Sequence, residues 1–577
     1  MTRILSHIAI FARHWLGLAR GFAFLAVFAL GLWGWYLVHQ PADWAGWSNN
    51  LFSTAQLLTL QFPDNIAPLP WQLNAARFLV PAIALFESYH LVLRAIRSPA
   101  RLALLGLRRG HVIVVPGRGS TGLAMLREIR LHAVRAVAIA PDLTPLDQAR
   151  MEEYRLPILS LDPYSRATWH AARADRASLI VVSHGDDVET LNIIVTVAEA
   201  LGPRRDRAGP MLLAGLENEA LAEQVDVAMD HAARRSGLRY RRLSVADEAA
   251  RMVFLDPPLP GRKPDRAVPS HVIVVGLGAG ARAVLRRALT LGQDAGIAGP
   301  TITILAAESE LAAEPLSRPG VIPPYVATFR TLACDLSSGV PEAALTALLA
   351  DAPPPILACV CLTDEAAVSM GLALSRQANT RQWPDFTIAV HQTREDHFLG
   401  LLAREKTAGH HARLRPFGGI LPAGTLRRLQ DESDDRLPRA LHEHYLSMLT
   451  RLGGDGGSPV QWDELPENIR HANRAAADHI AVKLAAIGCR VVDGVAPDFA
   501  FSDDEIDMLA PIEHRRWSAE RLLLGWRRGE RDDERRLHPD LVPFDALDDP
   551  GREKDRDAVR AIPEVLGLAG RSIRRAV

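Results

Sequence analysis

The pentapeptide HVIVV occurs twice, at His111–Val115 and at His271–Val275, and each copy runs directly into a glycine-rich turn. A short run of β-branched residues bounded by glycine reads as a buried strand. After the first copy comes Gly117-Arg118-Gly119-Ser120-Thr121-Gly122, and then helical spacing through Leu123, Leu126 and Ile129. After the second comes Gly276-Leu277-Gly278-Ala279-Gly280-Ala281, with Ala281 where a third glycine would stand. A pattern that restarts after about 160 residues predicts two copies of one folding unit. Between them, 256–270 holds Pro257, Pro258, Pro260, Pro264 and Pro269, a linker composition.

The turns carry chemistry because of their surroundings. In the first unit a second strand, Ala136–Ala140, leads to Asp142, 20 residues beyond Gly122. Strand, GxGxxG, helix, strand, acid is a dinucleotide-binding pattern. The glycines allow a tight turn and close approach of a pyrophosphate. The helix N-terminus favours its charge, and the acid can hold a ribose hydroxyl. The candidate cofactor residues are therefore Gly117, Gly119, Gly122 and Asp142, with Asp162 after a further strand at Leu156–Ser160. The second unit offers Gly276 and Gly278, Glu308 after the strand Thr301–Leu305, and Asp335 in parallel with Asp162. An insertion at Gln293–Pro300 leaves open a second unit that serves only contacts between chains.

The strand Leu179–Ser183 runs into His184-Gly185-Asp186-Asp187-Val188-Glu189-Thr190-Leu191-Asn192, and Ile356–Leu362 runs into Thr363-Asp364-Glu365. These stretches resemble RCK domains, the regulators of potassium conductance. The resemblance implies NAD or another adenine nucleotide as cofactor, Asp162 near the adenine and Asp186 at the mouth. The alternative for Asp162 and Asp186 is helix capping.

The first hundred residues have a different character. Gly21–Val38 is an 18-residue run without charge, nearly long enough to cross a bilayer core of about 30 Å. Phe78–Ile96 is apolar except for Glu87, His90 and Arg94. Arginines precede the first run and follow the second, so spans near 20–39 and 77–97 with both termini cytoplasmic are expected. The cleaved signal peptide is the alternative for the first run. Between the runs, a segment near 50–64 is apolar, helix-compatible and too short to span, which fits a re-entrant helix. Span, re-entrant helix, span resembles the potassium-channel pore module. Its filter aligns with Thr59, Leu60, Gln61, Phe62, Pro63 and Asp64, with Gln61 and Pro63 in place of both glycines. Proline and glutamine do not give glycine's backbone freedom, so the expectation is pore geometry with altered selectivity. A plain external loop is the other reading. Glu87, inside the second span, either rings a pore or hydrogen-bonds locally.

At the C-terminal end, Ser502-Asp503-Asp504-Glu505 reads as a helix start. Glu513-His514-Arg515-Arg516-Trp517, Gly525-Trp526-Arg527-Arg528-Gly529, His538–Phe544 and Glu553-Lys554-Asp555-Arg556 follow in order. Together they resemble the RyR domain of ryanodine receptors, over about 460–570. His514 and Trp517 share a helix face. With Trp526 and the neighbouring arginines they suit a flat anionic ligand, or else they form a core.

Lys+Arg 66 against Asp+Glu 67 excludes a generally basic nucleic-acid binder, and four dispersed cysteines exclude a disulfide scaffold. The expected fold class is α/β: a two-helix transmembrane module over 1–109, two Rossmann-like doubly wound domains over 110–255 and 271–440, and a mainly α RyR-like domain. The expected protein is a multi-pass cytoplasmic-membrane homotetramer. It is not an enzyme, and it passes cations under control of a nucleotide-type ligand. A non-conducting nucleotide sensor and a membrane effector of nucleotide signalling are its rivals.

Overall fold

The computed structural model describes residues 22–59, 61–62, 69–86, 88–89, 110–117, 120–131, 134–140, 158–203, 209–255, 269–294, 298–336, 346–347, 349–350, 352–362, 364–381, 383, 386–392, 414–418, 425–430, 432–451, 460–494 and 499–575. The chain divides into two units, Met1–Leu104 and Leu105–Val577.

In the first unit, Phe22–His39 is a helix long and apolar enough to cross a membrane, with Phe22 and Leu25 exposed. A second helix, Trp44–Gln56, begins six residues before the expected re-entrant segment. Asp43 caps it by accepting from Gly46 N at 2.8 Å. A third helix covers 71–86, starting earlier than the expected second span. Glu87 and residues 90–97 lie outside the described residues. Trp35, Leu57, Leu73, Ala76 and Val80 form the core of this unit. Gly34 lets the helices meet, since a Cβ there would lie 2.8 Å from the Leu73 backbone nitrogen.

The second unit contains two six-stranded parallel sheets. The first comprises β1 (His111–Pro116), β2 (Ala136–Ile139), β3 (Ile158–Leu159), β4 (Ala177–Ser183), β5 (Met211–Gly215) and β6 (Arg239–Leu243), in the order 3-2-1-4-5-6. The second comprises β7 (His271–Val275), β8 (Thr301–Ala306), β9 (Thr328–Ala333), β10 (Leu357–Val360), β11 (Thr387–His391) and β12 (Leu414–Phe417). Its order, 12-11-10-7-8-9, is the same arrangement read from the other edge. Both are Rossmann-like lobes. β1, β2, β5, β7, β8 and β10 are buried throughout, as parallel strands covered by helices on both faces must be. The histidine that opens each repeat is an anchor. His111 Nε2 meets Ala172 O at 2.9 Å, and His271 meets Pro353 O at 2.6 Å and Thr303 Oγ1 at 2.8 Å. Burial pushes the His271 pKa down to about 4, so it stays neutral.

The lobes exchange helices. Ala250, Val253 and Phe254 of the helix Val245–Leu255, which follows β6, pack in the core of the second lobe. Leu426 and Leu429 of Thr425–Gln430, placed by sequence in the second unit, pack in the core of the first. An i, i+3 apolar pair says that a helix has a core face, but not whose core it covers.

The remainder is mainly helical: Arg436–Arg451, Glu467–Ala486, Asp503–Leu523, Asp549–Arg560 and Ile562–Leu568, with β13 (Cys489–Asp493) antiparallel to β16 (Arg571–Arg575). The expected capping box forms: Ser502 Oγ accepts from Glu505 N at 3.2 Å, and Glu505 Oε2 accepts from Ser502 N at 2.9 Å. Ion pairs fasten this region to the lobes. Glu467, fully buried, accepts from Arg470 at 3.0 Å and Arg474 at 2.7 Å, and Arg470 reaches Asp230 at 2.9 Å. Asp478 accepts two hydrogen bonds from Arg251, at 2.6 and 2.7 Å. Arg287 of the helix Ala279–Leu291 grips Asp247 at 2.5 and 2.9 Å.

Within the C-terminal helices, Glu513 is buried between Lys483 and Arg516. Burial opposes its ionisation, but the two cations outweigh it and hold its carboxyl below the usual range. Glu513→Ala, which strands both cations, is expected to cost about 3–5 kcal/mol in denaturant unfolding. Glu553→Ala, at an exposed pair with Arg560, is expected to cost less than about 1 kcal/mol. Asp435 is likewise desolvated, yet Arg474 and Arg241 bring its pKa down to about 2. A depressed folded-state pKa stabilises above the unfolded value and is lost on acidification. Stability is therefore expected to fall from about pH 4 toward pH 2, and Asp435→Asn to flatten that fall in an acid titration followed by tryptophan fluorescence.

Candidate functional site

In each lobe the first and fourth strands are neighbours, and the chain leaves them in opposite directions, which opens a crevice at their C-terminal ends. Gly117 leaves β1 against the turn after β4. Its N donates to Ser183 O at 2.6 Å, and a Cβ there would lie 1.6 Å from the His184 carbonyl oxygen. Gly122 sits where a Cβ would be 2.9 Å from Pro116 Cα, the close helix–strand approach asked of a third glycine. Gly119 and Asp142 lie outside the described residues. Asp162 is exposed just past β3, and its Oδ1 accepts from Tyr164 N at 2.9 Å. Asp186 caps the helix Asp187–Leu201, accepting from Val188 N at 2.8 Å and Glu189 N at 3.0 Å.

In the second crevice, Gly276 has φ +85°, and a Cβ there would lie 2.8 Å from Cys361 O. A Cβ at Gly278 would meet nothing within 4 Å, while one at Gly280 would lie 3.2 Å from the His391 ring. Gly278 is also the N-cap of Ala279–Leu291 with no side chain capping it, so the positive end of the helix is turned toward this turn. Ala281 is fully buried in place of the third glycine. Glu308 opens a short helix directly after β8, beside β7, where a ribose acid belongs. Asp335 is exposed past β9, the strand beyond β8. Gly276, Gly278, Glu308 and Asp335 thus share one end of one sheet.

In the C-terminal region His514 is buried and committed. Its Nδ1 meets Asp555 Oδ2 at 3.0 Å, and its Nε2 meets Val542 O at 2.8 Å. The tryptophans are half-buried around it. Trp517 stacks on His514 at 5.7 Å and meets His538 edge-on at 4.9 Å, and Trp526 lies 6.1 Å from His538. The Arg521 guanidinium lies over both, 5.8 Å from Trp517 and 5.3 Å from Trp526, and its buried Nε has no hydrogen-bond partner. Arg521 was not singled out by sequence, although it lies at i+4 from Trp517. His538 and Asp555 stood in the motifs but were not among the candidate contacts, and the pairing of Asp555 with His514, 41 residues away, left no local trace.

Of the pore candidates, Thr59 is exposed and donates to Gln56 O at 2.9 Å, and Gln61 N donates to the same oxygen at 3.3 Å. Phe62 turns into the core of its unit, 5.9 Å from Trp35 and with Arg77 5.4 Å above it. Pro63 and Asp64 lie outside the described residues.

The TrkA-N domain model matches residues 113–208, and the RyR domain model matches residues 502–575. No curated protein matches the chain. Among solved structures, the GsuK channel bound to NAD is 11% identical, with 75% of this chain and 84% of that chain covered and a TM-score of 0.37. GsuK bound to ADP is 12% identical over 74% of this chain and 99% of that chain, with a TM-score of 0.36. The NAD(P)-binding domain of an exopolyphosphatase-related protein from Archaeoglobus fulgidus is 16% identical over 26% of this chain and 96% of that chain, with a TM-score of 0.20.

The two second-lobe glycines are expected to separate folding from binding. Gly276→Ala, strained by its φ and by Cys361 O, should lower stability by about 1–3 kcal/mol in chemical denaturation. Gly278→Asp should leave stability within about 0.5 kcal/mol. It should weaken NAD binding at least tenfold by calorimetry, since a carboxylate then occupies the phosphate position.

Proposed function

We propose that the protein is a nucleotide-responsive regulator of cation passage at the cytoplasmic membrane. The observation that carries the proposal is the second crevice: a positive-φ glycine, an open glycine at an uncapped helix N-terminus, and two acids past the adjoining strands. The match of residues 113–208 to a TrkA-N domain supports a regulatory rather than a catalytic use of the lobes. Gly276, Gly278 and the N-terminus of Ala279–Leu291 hold the pyrophosphate, and Glu308 holds a ribose. The first crevice takes a second adenine nucleotide through Gly117, Gly119, Gly122 and Asp142, with Asp162 toward the adenine. NAD is the cofactor of choice, acting as a ligand and not as a hydride carrier.

The Phe22–His39 helix anchors the chain in the bilayer, and a second span closes a pore-like module with the Trp44–Gln56 helix between them. Four chains surround the pore, and their eight lobes form a cytosolic ring. Thr59, Gln61 and Asp64 line its entrance, and Glu87 its interior. Nucleotide binding shifts the ring by the difference in its affinity for two arrangements, and the connector before β1 carries that shift to the inner helix. Trp517 and Trp526 with Arg521 form a second ligand surface for a flat anion, with His514 positioning Trp517 from beneath.

The alternative is a non-conducting anchored sensor or membrane effector. It is favoured by Phe62, whose ring packs into the core of its unit. Reconstitution in liposomes separates the two. Cation flux that changes at least tenfold with NAD or ADP, and is blunted by Gly278→Asp, is the expected result. Nucleotide binding without flux under any ligand would assign the alternative.

A further inference from the structure

The second unit also holds a cavity that is not one of the crevices. It has a volume of about 710 Å³ and lies where β6 of the first lobe, the Ala279–Leu291 helix of the second, and the helices Arg436–Arg451 and Glu467–Ala486 converge. That volume suits a drug-sized or nucleotide-sized ligand. Eight arginines and six carboxylates line it, and Asp226, Asp435 and Glu467 stand behind the arginines as further partners. Leu243, Leu255, Leu437 and Ile480 add apolar lining.

Most of these arginines are spent. Arg251 holds Asp478, Arg287 holds Asp247, Arg474 holds Asp435 and Glu467, and Arg242 sits 2.6 Å from Glu219. The two arginines of β6 are the least satisfied. Arg241 is 8% exposed, and its buried Nη1 has no hydrogen-bond partner among the described residues; the buried Nε and Nη1 of Arg242 have none either. The carboxylates nearest Arg241 stand off, Asp435 at 3.5 Å and Asp434 at 3.7 Å. Arg436, exposed on the cavity rim, has no carboxylate partner among the described residues. A guanidinium carries five N–H donors, and a buried one left without acceptors is costly. A charged ligand oxygen supplies the missing acceptor, and phosphate matches the geometry of the fork.

We propose that this cavity binds a nucleoside polyphosphate, with its phosphates on Arg241 and Arg436 and its base against the apolar lining. The site is distinct from both crevices, and its existence does not rest on their occupancy. Both lobes and the C-terminal helices contribute lining residues, so the ligand binds only the joined arrangement and stabilises it.

Calorimetry and thermal melting of the full-length protein in detergent test this, with ATP and inorganic tripolyphosphate as probes. A background of Gly119→Asp with Gly278→Asp silences the crevices. In that background ATP is expected to bind and raise the melting temperature, tripolyphosphate to compete with it, and 0.5 M salt to weaken both. Arg436→Glu, at an exposed position that leaves the fold intact, is expected to weaken ATP at least tenfold. Arg241→Lys, which keeps the charge and loses the fork, should weaken it by a similar factor. Absence of any ATP shift in the crevice-silenced protein would overturn the proposal. So would unchanged ATP affinity in Arg436→Glu and Arg241→Lys. Loss of NAD binding with retained ATP binding in the silenced protein supports the cavity and separates it from the crevice reading.

Discussion

The second unit depends on a buried charged joint. Glu467, at the first position of a 20-residue helix, is wholly buried and holds Arg470 and Arg474. The same carboxylate accepts from the Arg242 backbone N at 3.3 Å, and so docks the helix on β6. One turn after another, Arg474 meets Asp435 and Asp478 meets Arg251, each reaching a different element. Burying so many charges is favourable only if each finds its partner in good geometry. An apolar joint would tolerate sliding, because hydrophobic contact has no direction. This one permits a single register. Gln293 adds a neutral lock: its carbonyl oxygen meets His479 at 2.8 Å, and its side chain accepts from Arg515 at 3.3 Å.

What could be read from the chain follows from what is local. Strand burial, the glycine turns, the Ser502 capping box and the repeat all rest on neighbouring residues, and each has its counterpart in the structure. The Asp186 turn illustrates the limit of that method, since capping and ligand contact ask for the same residue type in the same place. Here the side chain caps. Partners separated by long stretches of chain were not legible. Arg470 and Asp230 are 240 positions apart, and no periodicity joins them. Residues that bear function carry the same weakness: His514 was marked as a ligand contact because of its helix face, yet its ring is closed by Val542 and Asp555.

The two lobes share strand order but not the state of their crevices. At Gly117 the backbone after β4 presses on the turn. Gly276 has a corresponding contact, but beyond it Gly278 is open. Ala281 shows that the second lobe accommodates a Cβ where the first keeps Gly122. Letter patterns record what the backbone permits, while the contacts each turn makes are set by the strand next door.

The exchanged helices have a topological consequence. Cleavage in 256–268 would leave one fragment carrying Val245–Leu255, which belongs to the other fragment's core, and lacking Thr425–Gln430, which belongs to its own. Each piece alone exposes an uncovered apolar face and a helix with nothing to cover. The halves are thus obligate complements, like two hands clasped, and the linker could be cut without separating them. Continuity of the chain is dispensable at this point, whereas the presence of both halves is not.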